Sequence, residues 1–586
     1  MKFVRGPLAM VSVVVMAGGC ASGGPAPVPV RAPPAVANRT GASPARVSMR
    51  SAEIDARLRA EWQSKKIETT ARVDDAGFLR RVHLDLTGRV PSAQAVEAFL
   101  ADRSADKRAK VIDALLASPA YADHFTNYWD RALLGRDVRN NVDRAEFRRW
   151  LHERFDANVG YDVWVRDLVS ATGLTTGPKS DDGSPLPAAT SDVRVNGATN
   201  WYVRYMDNPA DLAGTASRLF LGVQIQCAQC HDHKTEKWRM SDFQAFTASF
   251  MQTRAQLFYP QDKDKKGTRP FDVEDVEKPR RKAKGMDLTD YKNAVPRALD
   301  GTELAASGRP RAALAAWITA KRNPWFARAV VNRMWAKLLG RGFFEPIDDI
   351  RESNPPAVPG LLDALAQDFV ASGYDLKHLL RLVANTEAYQ LAARPKAQLP
   401  TWGAPVERGS APAGDERGAA EGAAQVRRDE DALWSYFHMD RLGPDELLDS
   451  LAQATGDKSL LEKGAGGDQI RAGLRKQFAF LFDVDEEADH HDEFDGTIAQ
   501  ALWMINGNVL NRSVQVAPGS ALAEVIGKPG RDEAKIRALY MRTLSRPPTA
   551  EETEHWVKFV NANPMRQAYE DLLWALLNSS EFLFNH

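Results

Sequence analysis

"FLRRVHLDLTGRVPSAQAVEAFLADRSADKRAKVIDALLASPAYADHF", residues 78–125, decides the fold class. Its apolar residues recur at three- and four-residue spacing, as in Val111, Ile112, Leu115 and Leu116, which is the stripe of a helix that buries one face. Gly88 and Pro91 punctuate the pattern. Helices are predicted over 51–66, 76–84, 92–101 and 106–117, and the same periodicity continues over 143–172 and 209–222. Extended segments are few and short, with Val223-Gln224-Ile225-Gln226 the best strand candidate. The expectation is a mainly α, multi-helix, two-module protein with few short strands and long irregular loops.

A helical phrase recurs weakly. "LTGRVPSAQAVEAFL" from 86 resembles "LSRPPTAEETEHWVKFV" from 544, and "LLASPAYADHF" from 115 resembles "LVANTEAYQLA" from 382 and "LLNSSEFLFNH" from 576. In the 544 copy, Thr549 and Glu552 fit a capping box, in which hydroxyl and carboxylate satisfy free amides of the first turn. Pro547 and Pro548 stop any helix running in. These phrases read as small helical packing units used more than once.

The 586 residues are 44% hydrophobic and 26% charged, enough for a large core. Lys+Arg and Asp+Glu both number 77, so no net charge draws the chain to nucleic acid or to an anionic membrane surface. Fourteen tryptophans favour large buried side chains over a carbohydrate-like ligand surface. The chain begins with Lys2 and Arg5, a short apolar run from Leu8 to Ala17, and small residues before Cys20. This resembles a lipoprotein signal peptide over 1–20, with Cys20 the lipidated residue. The usual Leu three residues before the cysteine is Ala17 here, and a plain signal peptide cut near Ala21 is the alternative. Residues 21–50, rich in Pro, Ala, Gly and Val, read as a tether. The expected location is the periplasmic face of the cell envelope, with a lipid anchor in the outer membrane.

Three further segments lack helical periodicity: 174–198, a charged linker at 258–297, and an Ala/Gly/Pro-rich insertion at 395–428. The linker divides the chain into modules at 51–257 and 298–586.

Export changes the cysteine arithmetic. Only three cysteines occur, so with Cys20 acylated, Cys227 and Cys230 are the thiols left in an oxidising compartment. They lie in "IQCAQCHDHKTEKW", residues 225–238. C-x-x-C-H supplies two thiols for the vinyl groups of haem c and an imidazole, His231, for the iron. Zinc held by Cys227, Cys230, His231 and His233 is an alternative, although all four fall within seven residues. A thioredoxin-type redox pair and a plain disulfide stay open. His233, two residues from His231, is placed as an alternative metal ligand or as a hydrogen-bonding support to the site. A sixth iron ligand would come from Met206, Met240 or Met251, or from the more remote His378, His490 or His491.

Two other polar groupings attract notice. "FDVDEEADHHDEFDGT", 482–497, packs many carboxylates and two histidines, and reads as a solvated acidic loop or a hard-cation site. Asn332, Arg333, Arg341, Asp348 and Asp349 cluster around glycines, and read as a buried ion-pair network or a pocket lining.

Several long stretches are familiar. "DDAGFLRRVHLDLTGRVPS", "KRAKVIDALLASPAYADHF" and "RLFLGVQIQCAQCHDHKTEKWRMSDFQAFTASF" resemble the Planctomycete cytochrome-C-like domain family, PSCyt type. "NPWFARAVVNRMWAKLLGRGFFEPIDDIRESNPP", "DLKHLLRLVANTEAYQL", "GTIAQALWMINGNVLN" and "LYMRTLSRPPTAEE" resemble the PSD-type domain that usually follows it. Both are domains of unknown function. The resemblance implies a haem-like C-x-x-C-H site on Cys227, Cys230 and His231, but no reaction. The expected function is an envelope redox or electron-transfer role with a redox partner protein, and the alternative is a non-redox binding or scaffold protein with a structural metal at C-x-x-C-H-x-H. The family usually shows His-Pro after the motif, where this chain has His233-Lys234, so the loop is expected to differ.

Overall fold

The computed structural model describes residues 49–135, 141–177, 194–258, 270–278, 282–283, 286–287, 289–304, 308–393, 428–457, 465–482 and 498–586. Cys20, the signal and the tether up to residue 48, most of the 395–428 insertion, and the acidic stretch 483–497 with His490 and His491 lie outside the described residues.

Local sequence explains the first helices. Asp74 caps α2 (Asp75–Thr87), following α1 (Ser51–Lys65), by accepting from the Gly77 amide at 2.7 Å, and Gly88 ends it at φ 66°. Any side chain at 88 would also strike His124, because a Cβ there would sit 2.4 Å from Nδ1. Ser92 caps α3 (Ala93–Ala101), and α4 (Lys107–Ala117) follows, both near the expected positions; α5 (Pro119–Leu134) is a further helix outside the predicted spans. The expected 143–172 segment is two helices, α6 (Arg144–Asp156) and α7 (Tyr161–Val169), with the break at 157–160, where Asn158 turns at positive φ. After α8 (Thr199–Arg204) comes α9 (Pro209–Leu221), closed by Gly222 in the left-handed conformation. The capping box at Thr549–Glu552 is present.

Strands are few and short. Gly173–Leu174, Thr253–Leu257 and Phe271–Asp275 form an antiparallel sheet in the order first–third–second, with Thr253 opposite Asp275 and Gly173 opposite Val273. The 223–226 strand is not formed. Ser217 donates its hydroxyl to the Val223 carbonyl at 2.7 Å, Ile225 N–H turns back to Val223, and Gln226–Gln229 is a 3₁₀ turn. The local polar bonds draw the chain into a turn where apolar content alone suggested extension.

The 258–297 linker marks a change in sequence character, but the packing runs through it. Phe271, Val273 and Tyr291 within it are buried in one continuous core that runs from Ile54 to Phe437 and takes in Met541. Tyr161 of α7 stacks on Phe326 of the later helix Phe326–Leu339 at 5.0 Å, and Trp129 meets Trp164 at 5.2 Å. Trp129, Trp164, Trp201, Trp335 and Trp434 are all fully buried, as their abundance suggested. A second core takes Leu442 to Phe582 and receives Leu84 and Val90 from α2 and its exit.

Two adjacent arginines of α2 pin the cores together. Arg80 donates to the carbonyls of Thr543, Glu581 and Phe582. Arg81 donates to those of Tyr389 and Leu391, and lies 3.4 Å from the Phe437 ring centre. One helical turn on, Asp85 accepts from Tyr389 Oη at 2.6 Å and from Asn585 Nδ2 at 2.8 Å. A two-residue ladder, Asp440–Arg441 with Phe584–Asn585, holds the last residues beside them. Among the described residues, no helix is long and apolar enough to cross a membrane.

Candidate functional site

The C-x-x-C-H segment leaves α9 through Gly222 and forms the 3₁₀ turn Gln226–Gln229. Ala228, between the cysteines, is buried and anchors the turn, while Cys227, Cys230 and His231 are exposed and both thiols are free. Close packing beneath requires glycine at 214 in α9: a Cβ there would lie 2.3 Å from Gln226 Cγ. Tyr291 hydrogen-bonds the Gln229 side chain, just before Cys230, and burial pushes its phenol pKa up.

The two histidines differ in chemistry. His231 Nδ1 lies 2.8 Å from the Asp232 carbonyl, which can only accept, so the ring proton is on Nδ1 and the Nε2 lone pair is open. His233 is the reverse. Its Nδ1 accepts from the amides of Thr235 at 3.3 Å and Glu236 at 3.0 Å, so the neutral ring carries its proton on Nε2. Neither nitrogen of His233 is then a free metal ligand, so the four-ligand zinc arrangement is not assembled. Among the described residues, no group of three or more His, Cys, Asp or Glu is gathered to hold an ion.

The loop after the motif is closed by its own backbone. His233 N–H donates to the Trp238 carbonyl at 2.8 Å. Asp232 Oδ1 accepts from the amide of Met240, the first residue of helix α10 (Met240–Ala248). Of the sulfurs considered for a sixth ligand, Met240 is the one tied to this loop, whereas Met251 is buried and Met206 accepts from Asn141. His378 is engaged with Asp368 at 2.6 Å.

Opposite the motif stands a loop from the other end of the core. Ile350 N–H donates to the Gly222 carbonyl at 2.8 Å. Between the two segments lies a cleft of about 330 Å³, lined on one side by Gln224, Cys227, His233 and Glu236 and on the other by Asp349 and Arg351. Arg351 Nε is 2.9 Å from Asp349 Oδ2, and its Nη1 is 3.7 Å from Glu236 Oε1, which also accepts from the Ser353 hydroxyl at 2.5 Å.

Both readings of the Asn332–Asp349 cluster therefore hold, for different members. Asn332 is buried and binds the turn at 342–347: its Oδ1 accepts from Phe343 N at 2.6 Å and its Nδ2 donates to the Ile347 carbonyl at 2.9 Å. Asp348 joins buried Arg333 to Arg218 of α9, at 3.0 Å from the latter. Asp349 alone of this group reaches the cleft. The roles of Glu236, Arg351 and Ser353 went unread in the sequence. Their separation of 117 residues between Glu236 and Ser353 left no local signal.

The fit to haem c can be tested on these residues. Both sulfurs are free, and His231 has one ring nitrogen fixed by a carbonyl and the other open, as metal-bound histidines commonly do. The cleft is at the small end of ligand sites, roughly 300–1,000 Å³. Of Cys227, Cys230 and His231, Cys227 alone lines it, and its walls carry Glu236, Asp349 and Arg351, so a macrocycle attached to the turn would lie over the exposed surface. The donor set, two free thiols and an imidazole with one open nitrogen, is the one that haem c attachment uses.

Residues 53–255 match the family model PSCyt2, described as a protein of unknown function (DUF1549), and residues 310–476 match PSD1, a protein of unknown function (DUF1553). No curated protein and no solved structure matches the chain. The motif falls in the first match and the facing loop in the second, so the chain carries a PSCyt2 domain followed by a PSD1 domain that meet at the C-x-x-C-H turn.

Proposed function

We propose that Cys227 and Cys230 attach haem c covalently, with His231 as the axial ligand, in a lipid-anchored envelope protein that exchanges electrons with a protein partner. The observation that carries this reading is the His231 ring, whose Nδ1 proton is committed to the Asp232 carbonyl and whose Nε2 is open beside two free thiols. When bound, haem would supply one-electron chemistry. The chain's own part is to present the attachment turn to solvent on a base fixed by Ala228 and Gly222. That exposure suits transfer to a docked partner more than burial of a substrate. Anchoring through acylated Cys20 rests on the charged, apolar and small-residue pattern before it.

Expression with a cytochrome c assembly system tests the reading. Covalent haem survives denaturation, so a gel stained for haem peroxidase activity should label the wild-type chain. Cys227→Ser with Cys230→Ser should remove the label, and His231→Ala should change the visible spectrum of the iron. A wild-type chain matured this way that holds no covalent haem would end the proposal, and stoichiometric zinc in its place would favour a structural-metal role. Intact mass of the membrane fraction tests acylation: a soluble mature form starting after Cys20 would remove the anchor.

A further inference from the structure

The cleft wall opposite the motif is contributed by the PSD1 segment, and its contacts converge on one side chain. Glu236 Oε1 accepts from Ser353 at 2.5 Å and lies 3.7 Å from Arg351 Nη1. The backbone amide of the same residue donates to His233 Nδ1 at 3.0 Å. Asp349 holds Arg351 from the other side at 2.9 Å, and Ile350 fastens the wall to Gly222. A continuous path thus runs from the second domain, through the Glu236 carboxylate and its amide, to an imidazole that lines the cleft beside Cys227.

We propose that Arg351 and Ser353 are positioning residues for the C-x-x-C-H loop: by holding Glu236 they keep His233 in its Nε2–H form, with that ring as a fixed hydrogen-bond donor at the cleft. The geometric part needs no cofactor. The physical reason is directional. An amide N–H can only donate, so two of them converging on Nδ1 select one tautomer, provided the loop that carries them stays in place. A side chain shared by two domains holds that loop more firmly than its backbone bonds alone, and the arrangement gives the second domain a role at the motif of the first.

The test is made on haem-free, full-length protein labelled with ¹⁵N-histidine. The His233 ring signals are assigned by their loss in His233→Gln. The wild type should show one tautomer, protonated at Nε2. Arg351→Ala with Ser353→Ala should lose that single pattern, while Arg351→Lys with Ser353→Thr should retain it. Circular dichroism of each variant reports whether the fold is intact. If the double alanine variant does not fold, Glu236→Ala, which keeps the amide but removes the shared carboxylate, reads the same loss. A wild-type ring protonated at Nδ1, or an unchanged single tautomer in a folded Glu236→Ala or double alanine variant, overturns the proposal. Absence of covalent haem in matured protein would sink the haem reading alone and leave this measurement valid.

Discussion

Replacing Asp85 by asparagine should make the protein less sensitive to rising pH, the opposite of what removing a typical paired aspartate does. Asp85 is buried at 5% exposure between the two cores. Burial pushes its carboxyl up from 3.8 to about 7, and the hydrogen bond from Tyr389 and the charges of Lys337 and Arg81 only partly offset it. In the window between these values the folded chain keeps a proton that the unfolded chain has lost. Stability from this group is therefore complete below about pH 4 and is lost as pH rises through about 7. At about 1.4 kcal/mol per pKa unit, the loss is roughly 4 kcal/mol. Asparagine is isosteric, still accepts from Tyr389, and can pair with a flipped Asn585 amide, so it keeps the packing and removes the titration. Urea unfolding followed by tryptophan fluorescence at steps from about pH 4 to 8 gives the difference between variant and wild type, in which other titrating groups cancel. The difference should move by about 4 kcal/mol in favour of the variant. A flat difference, or one moving against the variant as pH rises, would refute the reasoning.

Three further outcomes follow from single contacts. Gly222→Ala places a Cβ 2.8 Å from Ile350 Cδ1 at a φ of 65°, and should lower stability by about 1–3 kcal/mol, read from the denaturant midpoint. Asp348→Ala removes the carboxylate that Arg333, 1% exposed, shares with Arg218 and should cost about 3–5 kcal/mol, with Asp348→Asn losing less; the two thermal midpoints give the comparison. Thr549→Ala removes one half of the capping box, and should cost about 1 kcal/mol, measured by faster amide exchange in the helix from Ala550.

Much of the helical framework was legible because it follows local rules. The stripe of Ile112, Leu115 and Leu116, the caps at Asp74 and Ser92, and the box at Thr549 act within a turn or two. The 223–226 segment was misread because Ser217, six residues earlier, captures the Val223 carbonyl, and a strand needs a neighbour that this segment never meets. Nothing in the sequence marks the adjacent arginines of α2 as buried. Their partners are backbone carbonyls at 389, 391, 543, 581 and 582, and a carbonyl leaves no mark in the amino-acid sequence. At the site, spacing alone picked out Cys227, Cys230 and His231. The distinction between the two histidines depended on which atoms face them, a carbonyl for one and two amides for the other.

The same long-range bonds explain why a boundary drawn from composition fails as a boundary in packing. A charged, weakly apolar stretch reads as a linker when each side can bury its own surface. Here neither side does: Tyr161 stacks on Phe326, Arg81 donates to the carbonyls of Tyr389 and Leu391, and Ile350 closes on Gly222. Removing the later segment would take away the carbonyls that Arg80 and Arg81 bind and open to water the apolar side chains packed on it, Tyr161 and Leu84 among them. The PSCyt2 match therefore describes a sequence unit whose folded surface is finished by residues of the PSD1 match. The C-x-x-C-H turn sits where that finishing takes place, held beneath by α9 and faced by the 345–354 loop. Any chemistry at Cys227 is thereby tied to the placement of the second domain, and a change at Arg351 or Ser353 reaches the motif without touching either cysteine.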